Sequence, residues 1–200
     1  MGIVNVTPDS FSDGGRHATT RAALKHAEQL LKDGADILDI GGESTRPGAP
    51  KVSLAEELAR VLPLVQEAQR WQVPISVDTY KPAVMQAVLD AEADIINEIW
   101  GLRQAGAEQV VAQHPQCGVC VMHMHGEPQT MQTSPMTGDA MPEVLDFLQQ
   151  RLVALQALGI QKDRVALDPG VGFGKTVAQN FATLAQQAQL LALQQPLLVG

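Results

Sequence analysis

No apolar run in this chain approaches the ~20 residues that a bilayer-spanning helix requires, so a membrane helix is not expected. Basic residues are scarce too. Only 14 Lys and Arg stand against 22 Asp and Glu, and the formal net charge of −8 argues against a nucleic-acid surface. The same scarcity means that an anionic ligand would need a local basic cluster or a metal ion. The first residues show no basic stretch leading into an apolar one, so no secretory signal is expected. Met1-Gly2 lacks the Ser or Thr that a myristoylation site carries at position 6, which is Val6 here. Cysteines number two, and Cys117, Cys120, His123 and His125 have a spacing reminiscent of a zinc site. Side chains of a strand alternate faces, however, and Cys120 then points opposite to the other three. Buried thiols are the expectation. The same parity argues against a disulfide and agrees with a reducing, cytoplasmic compartment.

What the chain does have is a set of seven short apolar runs. GIVN ends at Asn5, ILDIGGEST runs through Asp39 into Thr45, and PISVDT ends at Asp78. ADIINE ends at Asn97, VCVMH at His123 and VALDP at Asp168, while PLLVG stops at Gly200. Helical periodicity lies between them, near 18–33, 53–71, 82–91, 105–114, 141–158 and 177–193. In the second helix Leu54, Leu58, Val61, Leu62 and Val65 form one stripe, Ser53 and Glu56 a capping box, and Pro63 should kink or split it. The fifth has Pro142 in its first turn, turns Val144, Leu145, Leu148, Leu152 and Leu155 inward, and stops at Gly159. Strands alternating with helices predict a (β/α)8 barrel or a doubly wound open sheet. Short separations and polar strand ends favour the barrel, whose strands all aim their C-terminal ends at one face.

A full barrel takes ~250 residues. The expected organisation is therefore a single barrel domain over 1–200, lacking its C-terminal helix–strand–helix portion and incomplete at the N-terminus as well. The alternative, a complete seven-stranded domain, would leave unpaired edges.

Two loops stand out. NVTPDSFSDGG (5–15) is polar and glycine-rich with one aromatic, Phe11, the composition of a loop that closes over a ligand. GGESTRPGAP (41–50) offers close backbone approach, the hydroxyls of Ser44 and Thr45, and in Arg46 a forked cation suited to phosphate. GVGFGKT (170–176) resembles a nucleotide loop but misses its spacing, because Pro169 stands where Gly is needed. It predicts a ligand-adjacent turn, with Lys175 either a cation behind the ligand or a solvated residue at a helix start. The connection 125–140 reads as surface bordering the pocket.

MGIVNVTPDSFSDGG, DILDIGGESTRPGA, ISVDTYKP, IINEI, VMHMHGEPQTM and LDPGVGFGK, in that order, resemble the dihydropteroate synthase family over essentially the whole chain. The resemblance implies a (β/α)8 barrel, a magnesium requirement, an enzyme that is the sulfonamide target, and condensation of p-aminobenzoate with 6-hydroxymethyl-7,8-dihydropterin pyrophosphate. It assigns the pterin edge to Asp168, Asn97 and Asp78, with Asp39 and Met122 in the same pocket and Lys175 among the binding residues. Asn5 and Arg46 would hold the pyrophosphate, Asn5 would also bind magnesium, and Asp13 would order the metal or the closed loop. Phe11, Thr45, Pro47 and Phe173 would wall the aminobenzoate pocket. The amine of p-aminobenzoate is itself the nucleophile, so no activated Ser or Cys is needed.

The chain departs from the family at Asn97-Glu98, where Asn-Asp is the pattern. The Ser-Arg-Lys segment after strand seven and the Arg-x-His after strand eight would lie beyond Gly200. Residues 1–200 alone are therefore expected to be nearly inactive, and a homodimer is expected of the full-length protein but not of this portion. Two other functions fit the motifs less well: a non-catalytic pterin-binding paralogue or inactive truncated form, and a pterin-dependent methyltransferase domain, which would lack the first two motifs.

Overall fold

The computed structural model describes residues 1–6, 15–46, 48–128 and 130–200, which fall into two compact units. One comprises Met1–Ser44 and Lys51–Asn97, the other Thr45–Pro50 and Glu98–Gly200.

In the first unit, β1 (Gly2–Asn5), β2 (Leu38–Gly41), β3 (Ile75–Asp78) and β4 (Ile95–Glu98) pair side by side in chain order, all parallel. They alternate with α1 (Gly15–Lys32), α2 (Leu54–Ala68) and α3 (Pro82–Asp90). Parallel strands need such crossovers, and the β-branched runs of β1–β4 suit a sheet covered by helices. Val4, Ile40, Val77 and Ile96 are one register row, fully buried, and with Val61, Leu64 and Val65 of α2 and Val84, Met85 and Val88 of α3 they make the core. Alternate residues stand on the opposite face.

The second unit holds α4 (Ala107–Gln113), β5 (Gly118–Met122), α5 (Met141–Ala157), β6 (Val165–Asp168) and α6 (Val177–Gln186), the last running into a 3-10 segment, Gln187–Leu193. β5 and β6 are parallel. The seventh apolar run forms one rung only: Leu197 bridges Leu167, with Leu167 N donating to Pro196 O at 2.9 Å and Leu198 N to Leu167 O at 2.9 Å. Among the described residues there are thus six strands rather than seven.

The helical spans follow the periodicity to within a few residues, and α5 buries Val144, Leu148, Leu152 and Leu155 as its pattern predicts, with Leu145 only half-buried and Met141 buried in addition. Helix α2 differs in three ways. It continues unsplit past Pro63 to Ala68. Ser53 Oγ accepts from Glu56 N at 3.3 Å, but Glu56 turns to Arg60 instead of closing the box. The buried stripe includes Glu57 and leaves Leu54 41 % exposed. Glu57 is drawn inward by partners on the loop after β3, described below. The complete capping box belongs to α6, between Thr176 and Gln179.

No helix among the described residues is long and apolar enough to cross a membrane. Cys117 and Cys120 are both buried and not disulfide-bonded, and no group of three or more His, Cys, Asp or Glu among the described residues is placed to hold a metal ion.

Candidate active site

Register alone brings four distant residues into line. Asn5 pairs with Gly41, Gly41 with Asp78, and Asp78 with Asn97, so the last rung of β1–β4 is a row of one amide, one glycine, one carboxylate and a second amide. Register partners of parallel strands present their side chains to the same face. The glycine is what lets the row close up. A Cβ at Gly41 would lie 3.2 Å from Asn5 Oδ1 and 3.7 Å from Asp78 Oδ2, so the two polar groups flank a position without a side chain.

One layer down, on the same face, Asp39 is paired in register with Ser76. Asn97 Nδ2 donates to Asp39 Oδ2 at 3.1 Å, which fixes which way the Asn97 amide faces. Asp39 Oδ1 and Ser76 Oγ, both buried, have no partner in hydrogen-bond geometry among the described residues. Burial raises the Asp39 pKa above the ordinary carboxylate value, opposed by the nearby donors Ser76 and Asn97. A buried acceptor left without a donor suits a pocket whose ligand brings donors of its own.

The loops leaving β2 and β3 are tied to α2. Arg60 Nη1 donates to Gly42 O at 2.7 Å, and a Cβ at Gly42 would stand 2.8 Å from Val61 Cγ1. Lys81 reaches both Glu43 and Glu57, while Thr79 Oγ1 donates to Glu57 Oε1 at 2.6 Å and Tyr80 Oη to Glu43 Oε1 at 2.9 Å. Burial disfavours the charge on Lys81, but Glu43 and Glu57 outweigh it and raise its pKa. Burial, then Glu43, pushes the Tyr80 phenol up to about 12.

In the second unit the last rung of β5 and β6 pairs Met122 with Asp168. Met122 is buried and Asp168 half-buried, its Oδ1 accepting from Gly170 N at 2.6 Å. Burial raises Asp168 to about 6, against the hydrogen bond from Gly170 and the charge of Lys175. It is therefore ionised near pH 7, an acceptor on both oxygens. Phe173 is half-buried on the following turn. Lys175 is 1 % exposed and its ammonium is spent inside the protein, which excludes a solvated helix-start residue. Thr45 is half-buried and Arg46 exposed, the latter's carbonyl accepting from Ala49 N at 3.1 Å. In the connection after β5, Met131 and Met136 are buried, and Gln179 Nε2 donates to the carbonyls of Met136 and Gly138 at 3.0 and 2.8 Å. Phe11, Asp13 and Pro47 lie outside the described residues.

Glu98, the departure from the family pattern, is turned away from the row. It is fully buried and accepts from Trp100 N at 3.0 Å and from Leu102 N, closing a turn in which Gly101 and Leu102 have φ of 66° and 57°. Burial pushes its pKa up to about 7. Ser76 and the Glu43–Glu57–Lys81 cluster carry no motif of their own, and Gly41 stands out only as part of its glycine pair. Gly41 and Ser76 lie one register step from residues that the motifs do mark, so counting rungs across adjacent strands would have found them.

The family described as pterin binding enzyme matches residues 1–200. Dihydropteroate synthase of Escherichia coli strain K12 is 48 % identical over the whole of this chain, which spans 71 % of that protein. Among solved structures, Yersinia pestis dihydropteroate synthase in a sulfonamide drug complex superposes with a TM-score of 0.93 at 49 % identity, covering 100 % of this chain and 73 % of that one. Xanthomonas albilineans dihydropteroate synthase with 4-aminobenzoic acid gives 0.92 at 48 %, covering 100 % and 71 %. The α/β barrel class expected from the strand–helix repeat is that of these relatives. This chain belongs to the dihydropteroate synthases, a family of pterin-binding transferases.

Proposed function

We propose that the protein carrying this chain joins p-aminobenzoate to 6-hydroxymethyl-7,8-dihydropterin pyrophosphate, releasing pyrophosphate and forming 7,8-dihydropteroate. The observation that carries this reading is the Asn5–Gly41–Asp78–Asn97 row with the orphaned acceptor of Asp39 beneath it. A pterin's amino and ring N–H groups form a flat donor edge, and carboxylates grip such an edge through paired, charge-assisted hydrogen bonds. Asp78 and Asn97 are the groups we assign to that edge, with Asp39 deeper. Asp168 and Met122, paired on the last rung of β5 and β6, are a carboxylate and an apolar side chain that we also assign to pterin binding.

The C–O bond to the pyrophosphate breaks, the aromatic amine forms the new C–N bond, and the amine loses a proton. An electron-rich dihydropterin stabilises the cationic methylene, so a dissociative, SN1-like path is favoured over direct displacement. The protein's part is to orient the two reactants, stabilise the departing anion and exclude water. Arg46 is the cation assigned to the pyrophosphate, and Thr45 and Phe173 border the aminobenzoate.

Magnesium fits the residues present. It prefers oxygen ligands, keeps several waters, and is usually held by one or two protein groups together with substrate phosphates. Asn5 Oδ1 beside the side-chain-free position at Gly41 offers such a group, with Asp78 across the gap. When bound, the ion would neutralise charge on the departing pyrophosphate.

The test is calorimetric titration of the natural protein that carries this chain. Binding of pterin pyrophosphate with magnesium, and binding of p-aminobenzoate only once pyrophosphate is present, is the expected result. Absence of pterin pyrophosphate binding would refute the assignment.

A further inference from the structure

Lys175 is among the largest fully buried side chains in the chain. Its Nζ stands 2.7 Å from Gly170 O, 3.3 Å from Phe173 O and 3.0 Å from His123 Nδ1. An ammonium has three donors, and all three are used on neutral acceptors. Burying a cation without a carboxylate partner costs several kcal/mol in general, a cost that Met or Leu would avoid in the same space. The turn that Lys175 holds is also keyed to the segment after β5. A Cβ at Gly170 would overlap the His123 carbonyl and one at Gly174 the His125 carbonyl, while the φ values of 66° and 71° disfavour any side chain there. Met136 N donates to Gly174 O at 2.9 Å, and Gln132 Nε2 to Gly172 O at 2.6 Å.

The charges around Lys175 come from three elements: Asp168 at the end of β6, Glu143 on α5, and His123 after β5 with Arg103 near it. Burial lowers Lys175 to about 8, against the pull of Asp168 and Glu143, so it remains a cation near pH 7. Burial, then Lys175, lowers His123 to about 3 and keeps its ring neutral. With Nδ1 accepting from Lys175, the ring proton sits on Nε2, which faces Glu143 Oε1 at 3.8 Å. The ring's edge-on contact with Phe147, 5.2 Å between centroids, holds this orientation.

We propose that Lys175 is a positioning residue for ligand binding at the end of β6: it fixes the 169–174 turn from beneath and sets a positive charge within electrostatic reach of Asp168. Asp168 and Phe173 are thereby preorganised, and the Lys175 charge adds to the Gly170 N–H in favouring the ionised form of Asp168. The inference rests on the reading that Asp168 grips the pterin.

The experiment titrates pterin pyrophosphate, with magnesium, into the natural protein and its Lys175→Met and His123→Phe variants between pH 5 and 9. Lys175→Met should weaken binding by about thirtyfold, the loss of charge-assisted hydrogen bonds. It should also move the acid limb of the binding profile, set by Asp168, to higher pH. His123→Phe should weaken binding by about fivefold, one neutral acceptor's share, with the limb unmoved. A purely structural role for Lys175 would lower the thermal midpoint and leave the limb in place, and that result overturns the proposal. If Lys175→Met does not fold, unchanged affinity in His123→Phe overturns it instead. A wild-type protein that fails to bind overturns the parent reading together with this one.

Discussion

In the first unit, the loops after β2 and β3 are fastened by an ammonium set between two carboxylates, Lys81 with Glu43 and Glu57. In the second, the turn after β6 is fastened by an ammonium among two carbonyls and an imidazole. Burial works against both ammonium charges: at Lys81 the two carboxylates outweigh it and the pKa is raised, whereas at Lys175 burial prevails over Asp168 and Glu143 and the pKa is lowered. Both immobilise backbone at strand ends, where function is carried. The contrast shows that a buried lysine is not one device: its neighbours decide whether it neutralises excess negative charge or lends positive charge to a nearby acid.

Four measurements test these two arrangements and the strand ends beside them. The largest effect is expected from Asp78→Ala, which removes the carboxylate of the row. Turnover of the natural protein should fall on the order of a hundredfold to a thousandfold in kcat/KM, as for loss of paired charge-assisted hydrogen bonds, with the urea midpoint nearly unchanged.

Next comes a pair of glycines in the second unit. Gly170 and Gly172 both have positive φ, 66° and 87°, but only at Gly170 would a Cβ meet another atom. Gly170→Ala should therefore cost about 4 kcal/mol from strain plus overlap, and Gly172→Ala about 1 kcal/mol from strain alone. Equal losses in chemical denaturation would mean that the turn is not keyed to the His123 carbonyl.

In the first unit, Glu57→Ala leaves Lys81 with a single carboxylate and takes from the Thr79 hydroxyl the carboxylate it donates to. A loss of about 3 kcal/mol in denaturant unfolding is expected, since one member of a buried pair is removed. The smallest effect concerns Glu98. Its folded pKa of about 7 lies above the model-peptide 4.5, so its contribution to stability is fully present below pH 4.5 and is lost as pH rises through 7. Wild type should thus lose roughly 2 kcal/mol relative to Glu98→Gln between pH 5 and 7. Parallel stability curves would show that this carboxyl is better solvated than its surroundings suggest.

The positions of Asn5, Asp78 and Asn97 were legible because a parallel strand's last polar residue is marked by the apolar run before it, and short runs align without slippage. The helix spans were legible for the same reason, through period. What periodicity could not show is the inward turn of Glu57, whose partner Lys81 lies 24 residues away and is brought close only by the crossover between β2 and β3. Nor could it distinguish a solvated Lys175 from a buried one, since that depends on the His123 ring 52 residues earlier. The role of Glu98 was not legible for a simpler reason. A polar residue at a strand end looks like part of a site, yet side chains alternate, and its neighbour Asn97 already held the site face.

Asp39 grips Asn97 by its amino nitrogen, and a side chain held that way cannot flip end for end. On the assignment of this row to a pterin edge proposed above, the pocket has a fixed polarity rather than an adjustable one. A flat heterocycle of the same outline but with its hydrogen-bonding atoms interchanged would find oxygen where it needs nitrogen. Such a mimic would be turned away by orientation, not by size.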